Sequence, residues 1–453
     1  SGHVRIYEYT SGSGSGTWTQ LGDDIDGEAQ SDLSGRSVSM NAAGTIVAIG
    51  AYSNDGNGYN SGHVRIYEYR QYTQTDADAD TYHYTSKIQD STQTKALIIT
   101  NNQQQPQVGN SYWTQLGGDI DGEAASDLSG WSVSMNAAGT FVAIGAYGND
   151  ANGSDSGHVR IYEYTSVSGS GTWTQLGGNI DGEAAYDNSG YSVSMNAAGT
   201  IVAIGANSND ANGSSSGHVR IYKNMGGTWI QLGEDIDGEA AYDNSGRSVS
   251  MNAAGTIVAI GANSNDANGS SSGHVRIYEY RQYTQTDADA DTYHYTSKIQ
   301  DSTQTKALII TNNQQQPQVG NSYWTQLGGD IDGEAASDLS GWSVSMNAAG
   351  TIVAIGAYGN DANGSASGHV RIYEIGYTLA ELLNDGYDLQ QLQSVGYSAF
   401  HLKSAQYTAT QLQVVGYTAT QLQIAGYTIA ELKGAGYSDS EIFSAGYSVV
   451  QLQ

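Results

Sequence analysis

The chain has no cysteine, and its 453 residues include only two prolines and three phenylalanines. The missing cysteine excludes disulfides and thiolate chemistry without indicating a redox compartment. No apolar run approaches the roughly 18 residues that a membrane-spanning helix needs, so no membrane insertion is expected. Basic residues are also scarce, since 17 Lys and Arg stand against 46 Asp and Glu and give a formal charge of −29. Such a chain repels phosphate backbones, so nucleic acid is not an expected partner.

Glycine and tyrosine are abundant instead, with 59 and 33 residues, which suits tight turns and amphipathic strands. Repetition is the main feature of the chain. A segment close to SGHVRIYEY begins at Ser1, Ser61, Ser156, Ser216, Ser272 and Ser367. A longer unit that contains it begins at Trp18, Trp113, Trp173, Trp229 and Trp324. Repeats of this length indicate an array of similar structural modules.

Each unit contains four predicted strands, shown best by residues 113–164. WTQLG is short, SVSMN and HVRIYEY alternate with a period of two, and TIVAIGA is apolar at nearly every position. A strand buried on both faces needs a second sheet on each side. The sequence therefore predicts an all-β propeller of five four-stranded blades, either complete or a fragment of a larger array; a β-solenoid is the alternative.

The pattern SG-x-SVSMNAAGT-IVAIGA…SGHVRIYEY resembles the FG-GAP repeats of integrin-α-type propellers, and more closely the repeats of large secreted or surface proteins of marine bacteria and large viruses. Two features differ from FG-GAP: serine replaces the Phe, and Tyr or Asn follows Gly-Ala in place of Pro. The resemblance implies that SVSMN is the innermost strand. The fifth unit stops after its third strand, so WTQLG at Trp18 could supply the fourth and close the ring. The segment SGHVRIYEY at Ser1 then competes with residues 367–374 for one strand position in the ring. Alternatively, the chain is a piece of a longer array, which the missing initial methionine favours.

The chain divides into a propeller over residues 1–375 and a tail over 376–453. Two insertions of identical sequence, at about 70–111 and 281–322, are predicted to form protruding hairpins. In the tail the period is ten, and Thr428 with Glu431 forms a predicted capping box, Tyr427 and Leu432 a staple, and Gly436 a helix end. Short helices stacked as an α-solenoid are expected; a flexible tail of transient helices is the alternative.

Each unit also carries an acidic loop with oxygen ligands at positions 1, 3, 5 and 9, a spacing that suits Ca²⁺. The predicted ligands are Asp24, Asp26, Glu28 and Asp32 in one loop and Asp119, Asp121, Glu123 and Asp127 in the next. The glycine and the place of the loop differ from the FG-GAP calcium loop, so a solvated acidic turn is the alternative. The histidine of SGHVR is interpreted as a strand residue hydrogen-bonded to a neighbouring blade rather than as a transition-metal ligand.

Position x of SG-x-SV changes between otherwise near-identical units. Its five occupants are Arg36, Trp131, Tyr191, Arg247 and Trp342. If SVSMN is innermost, these side chains meet at one mouth of the central channel, where Arg and aromatic residues favour binding. The alternative is that they plug the channel or pack between blades.

No catalytic motif is present, so a non-enzymatic propeller is expected. The leading hypothesis is an extracellular protein, at a cell or virion surface, that acts as an adhesion or protein-interaction scaffold. A lectin-like, carbohydrate-binding propeller is the second, and a glycoside-active enzyme is a remote third. Protein or glycan partners follow from these hypotheses, and so does self-association through exposed HVRIYEY strands.

Overall fold

A computed structural model of the chain describes residues 1–11, 16–71, 111–167, 170–282, 322–374, 389–394, 399–404 and 406–445. It contains five antiparallel β-sheets that pack in sequence order as the blades of a propeller, with short helices at the C-terminus. The predicted insertion hairpins lie, beyond Gln71 and Gln282, outside the described residues. No helix in the described part of the chain is long and apolar enough to cross a membrane.

Four short strands precede the first blade: β1 (His3–Val4), β2 (Tyr7–Thr10), β3 (Thr17–Gln20) and β4 (Ile25–Asp26). The first blade comprises β5 (Ser37–Met40), β6 (Ile46–Ala51), β7 (His63–Gln71), β8 (Ser111–Gln115) and β9 (Ile120–Asp121). The second comprises β10 (Ser132–Met135), β11 (Phe141–Ala146), β12 (His158–Val167), β13 (Ser170–Gln175) and β14 (Ile180–Asp181). The third comprises β15 (Ser189–Met195), β16 (Ile201–Ala206), β17 (His218–Met225), β18 (Thr228–Gln231) and β19 (Ile236–Asp237).

The fourth blade comprises β20 (Ser245–Met251), β21 (Ile257–Ala262), β22 (His274–Gln282), β23 (Ser322–Gln326) and β24 (Ile331–Asp332). The fifth comprises β25 (Ser340–Met346), β26 (Ile352–Ala357) and β27 (His369–Glu374). The first four blades follow the predicted four-strand path, and a fifth strand of two residues also pairs with the third strand. The outermost strand is thus interrupted after WTQLG, where Gly117 and its equivalents have positive φ.

The apolar pattern predicted these strands correctly. Val142, Ala143, Ile144 and Ala146 of β11 are at most 1% exposed, because one face of the strand packs on the previous blade and the other on the next. The serines of SVSM join neighbouring blades, as shown by the Ser134 hydroxyl, which accepts a hydrogen bond from the Met195 amide at 2.9 Å. The alternation of Ser and apolar residues therefore determines both the strand pairing within a sheet and the contact of that sheet with the next blade.

The predicted closure of the ring through Trp18 is not observed. β3, which contains Trp18, pairs with β2, while β27 pairs among the described strands only with β26. Pairing within this short hairpin needs a much smaller loop than pairing across the whole propeller, and closing a small loop costs less entropy. No described strand covers one face of the fifth blade, and Val370 and Ile372 are 66% and 71% exposed.

The described part of the tail contains six helices of six residues each: α1 (Leu389–Ser394), α2 (Ala399–Ser404), α3 (Ala409–Val414), α4 (Ala419–Ile424), α5 (Ile429–Gly434) and α6 (Asp439–Ser444). The capping box at Thr428 and Glu431 is confirmed, and Thr408, Thr418 and Ser438 form others. One apolar cluster contains Leu432 and Tyr427, as the staple predicts. Gly436 has a φ of 96° at the helix end, as predicted.

Helices two positions apart in the tail are in contact, as α3 is with α5. The Tyr427 hydroxyl donates a hydrogen bond to the Tyr407 carbonyl oxygen at 2.5 Å, and Tyr437 donates likewise to Tyr417. The ten-residue period thus places these two tyrosines beside the backbone of the turn twenty residues earlier. These contacts give helices that are too short to be stable alone a shared core.

Candidate functional site

The five variable side chains at position x meet at a single cavity, as the sequence predicted. Arg36, Trp131, Tyr191, Arg247 and Trp342, which we call the mouth cluster, all line a cavity of about 370 Å³. Serine and valine residues of the innermost strands line the rest of it. Because the first and the fifth blade both contribute side chains, all five blades surround a common axis at this point.

Stacking fixes both guanidinium groups of the mouth cluster. Arg36 lies 4.5 Å from the ring centre of Trp131, and Arg247 lies 4.0 Å from that of Trp342 and 4.6 Å from that of Tyr191. The Arg247 guanidinium also donates a hydrogen bond to the Tyr191 hydroxyl. Burial, assisted by the charge of Arg36, lowers the pKa of Arg247 to about 10, so the side chain is still a cation at neutral pH. The cluster therefore presents two ordered positive charges.

Three tyrosines that the sequence analysis did not select complete the cluster. Tyr52 and Tyr147 each pack edge-on against Trp131, with ring centres 4.8 Å apart, and Tyr358 stacks on Trp342 at 5.0 Å. All three follow the Gly-Ala of IVAIGA, a position where other units have Asn. That Tyr/Asn variation is the signal that could have identified them.

The structure places the carboxylates of each acidic loop against different partners. In the first, Asp24 accepts a hydrogen bond from Gln20, Asp26 lies opposite His3 in a strand pair, Glu28 faces the next blade, and Asp32 accepts from the Ala29 amide. Asp119, Asp121, Glu123 and Asp127 repeat this arrangement. Among the described residues, no group of three candidate ligand atoms within 4.8 Å comes from one loop. Calcium binding by a single loop stays a prediction.

The histidines of SGHVR face a glutamate in the loop that leads into their own blade. The His158 Nδ1 atom lies 3.6 Å from Glu123 Oε2, and His218 Nδ1 lies 3.9 Å from Glu183 Oε2. These separations exceed those of hydrogen bonds, and the Nε2 atoms of both rings are buried without a partner. The expected hydrogen bond from His218 to a neighbouring blade is therefore wrong, since its Nδ1 atom has no hydrogen-bond partner either.

Burial of His158 gives a testable pH dependence. Desolvation, with the nearby Arg160 charge, lowers the pKa of His158 from 6.5 to about 3, so the unfolded chain binds a proton that the folded chain does not. This contribution to stability is complete above about pH 7 and decreases as the pH falls through 6.5, by about 2 kcal/mol at pH 5. In denaturant titrations at pH 7.5 and 5, His158→Gln should lose less stability than the wild type by that amount.

The matched control for this prediction is His3→Gln, because His3 occupies the same repeat position but is exposed. Carboxylates that titrate near pH 5 affect all three proteins alike and cancel in the comparison. Equal loss of stability in the wild type and in His158→Gln would contradict the assigned cause.

Comparisons with known proteins match two parts of the chain. A family model described as "FG-GAP repeat" matches residues 120–162, and one described as "Decapeptide repeat region" matches 371–439 and 386–453. No curated protein matches the chain. A crystal structure of a putative 6-phosphogluconolactonase from Bacteroides uniformis ATCC 8492 is similar over 81% of this chain and 87% of that one, at 8% identity and a TM-score of 0.37, and carries no argument about function. The chain thus has a propeller with one region similar to an FG-GAP repeat and a C-terminal region similar to decapeptide repeats, and the FG-GAP match supports an interaction scaffold in general terms.

Proposed function

We propose that this protein is a non-enzymatic scaffold that binds an acidic segment of a protein partner at the mouth cluster. The observation that carries the proposal is the pair of stacked guanidinium groups, Arg36 and Arg247, at one cavity of a chain with a charge of −29. Arg and aromatic side chains are favoured anchors at binding surfaces. FG-GAP repeats support the same general role.

The electrostatics of the cavity favour a carboxylate ligand. None of the described residues that line it is Asp or Glu, and two guanidinium groups near each other gain from an anion between them. The aromatic rings hold both groups in place before binding, so little side-chain entropy is lost when a partner arrives. The carboxylates of an acidic peptide can pair with both guanidinium groups.

A sugar ligand is the second candidate, because flat rings suit sugar faces. Its difficulty is that Arg247 and Tyr358 already cover the Trp342 ring, and Arg36 lies over Trp131. Neutral glycans would have to displace these contacts. Saturable, sugar-inhibited binding on a glycan array would favour the lectin-like alternative over the acidic peptide.

Loss of the two guanidinium groups is the direct test. A labelled peptide selected from a display library of Asp- and Glu-rich sequences should bind the wild type, and Arg36→Gln with Arg247→Gln should weaken that binding about 10-fold to 100-fold in fluorescence anisotropy. Arg5→Gln removes one charge from an exposed site outside the cavity and should change the affinity little. Full binding by the double variant, or by Trp131→Ala with Trp342→Ala, would place the partner elsewhere.

Adhesion at a cell or virion surface, with the tail as a solenoid stalk or assembly element, extends this proposal. The repeated blades and the regular tail suit display at a distance from an anchoring point. Self-association through the open edge of β27 belongs to the same proposal, since that strand pairs on one side only among the described strands. Immunogold labelling of intact source cells or virions would test the location.

A further inference from the structure

Within the described part of the chain, three junctions between successive units bring a histidine and two carboxylates together. We call them the junction triads: Glu28, His63 and Asp119; Glu183, His218 and Asp235; and Glu239, His274 and Asp330. Within each triad, one potential ligand atom from each residue lies within 4.8 Å of the others. The glutamate and the histidine belong to one sequence unit and the aspartate to the next, so the triad exists only where two units pack together.

Each triad has a nitrogen atom directed at its carboxylates. His218 and His274 have no exposed surface, and their Nδ1 atoms have no hydrogen-bond partner. His218 Nδ1 lies 3.8 Å from Asp235 Oδ2 and 3.9 Å from Glu183 Oε2, and His274 Nδ1 lies 3.7 Å from Glu239 Oε2. A buried nitrogen without a partner costs free energy, and a bound cation would remove that cost.

The surrounding side chains orient both carboxylates. Gln231 donates a hydrogen bond to Asp235 Oδ1 at 2.6 Å, which leaves Oδ2 toward the histidine. Arg220 lies 3.4 Å from Glu183 Oε1, which leaves Oε2 toward the same histidine. Such outer contacts are typical of metal-ligating carboxylates. The charges of Glu183, Asp235 and Arg220 sum to −1, so a divalent ion meets net negative charge.

A natural variant of the triad lies in the second blade. There Asn179 replaces the aspartate, and its Nδ2 atom donates a hydrogen bond to Glu123 Oε2 at 3.2 Å and lies 3.5 Å from His158 Nδ1. The amide thus bridges the two groups by itself. Where the position is Asp235 or Asp330, two carboxylates face a ring nitrogen that has no hydrogen-bond partner, which is an arrangement that a cation stabilises.

We propose that each of the three junction triads binds one divalent transition-metal ion of the Zn²⁺ type, through the histidine Nδ1 and one oxygen of each carboxylate. Nitrogen together with carboxylate oxygen suits Zn²⁺, whereas Ca²⁺ takes oxygen ligands. A tetrahedral Zn²⁺ site places its ligand atoms about 3.4 Å apart. The histidine–carboxylate separations at His218 and His274 are 3.7 to 3.9 Å, and all ligand atoms of each triad lie within 4.8 Å of one another. The partly exposed carboxylates leave room for water as a fourth ligand.

The number of bound ions tests the proposal. After EDTA treatment and equilibrium dialysis of the full chain against Zn²⁺, metal analysis should give three tightly bound ions for the wild type. Asp235→Asn copies the natural Asn179 junction and should reduce the number to two. Asn179→Asp creates a fourth triad and should raise it to four, and circular dichroism should confirm that both variants are folded.

Opposite changes of one ion in two near-isosteric variants cannot arise from weak binding to the acidic surface. An equal number of bound Zn²⁺ ions in the wild type, Asp235→Asn and Asn179→Asp would overturn the proposal. Binding of Ca²⁺ with the same dependence on Asp235, and without Zn²⁺ binding, would overturn the role of the histidine. The proposal is independent of the mouth cluster, so its failure leaves the proposed function intact.

Discussion

Replacing Ile221 with alanine should lower the free energy of unfolding by about 3 kcal/mol, the usual cost of removing a buried isoleucine side chain beyond Cβ. Ile221 is 1% exposed and lies in the apolar cluster between the third and fourth blades. The loss combines a transfer term with the cavity that closely packed neighbours cannot fill. The measurement is chemical denaturation of the purified chain followed by circular dichroism.

The chain supplies a control at the same repeat position. Ile372 of the fifth blade is 71% exposed, since no described sheet covers that face, so Ile372→Ala should change the free energy of unfolding by less than about 0.5 kcal/mol. If both substitutions cost the same, the stability of the protein would not depend on contact between blades. If Ile372→Ala were the more costly of the two, another part of the chain would cover the fifth blade in solution.

Replacing Gly205 with alanine should cost a comparable amount, about 3 kcal/mol, for the opposite reason. A Cβ atom at Gly205 would overlap the carbonyl oxygen of Gly246 in the next blade. Because that oxygen belongs to the backbone, the overlap can be relieved only by moving the two blades apart. We expect a lower denaturation midpoint and a weakened contact between the third and fourth blades.

Gly356→Ala is the matched control for this substitution. Gly356 occupies the same position in the fifth blade, where an added Cβ would meet the Ser343 hydroxyl but no backbone of a following sheet. Gly205 has the equivalent contact with the Ser192 hydroxyl, so the comparison isolates the effect of the neighbouring blade. Equal destabilisation by the two substitutions would assign the effect to the serine contact and contradict close packing of the blades.

Much of the fold could be predicted because each unit repeats a local pattern. The alternation of SVSM and the apolar run IVAIGA define which strands face other sheets, and identical units require identical surroundings. The mouth cluster was predictable for the same reason, since variation within a repeated strand, as at Trp131 and Arg247, marks positions that face a shared axis. The capping box at Thr428 and Glu431 needed only neighbouring residues.

What could not be predicted depends on contacts between units. His218, Glu183 and Asp235 form a triad only because two units pack side by side, and no spacing along the chain indicates that contact. The strand of Trp18 could pair either within its own hairpin or with the fifth blade. The structure shows the hairpin, and the sequence alone does not decide between the two. The second, two-residue part of the outermost strand follows from backbone geometry at Gly117.

The measurement that tests the arrangement of the blades most directly is the distance between the first and the fifth. Because the chain has no cysteine, Ser37→Cys with Ser343→Cys places one spin label on each blade, and both residues line the same cavity. Sheets around a common axis predict a label separation well below 40 Å by pulsed electron resonance. Sheets in an open row, about 10 Å apart, would give about 40 Å and contradict the propeller.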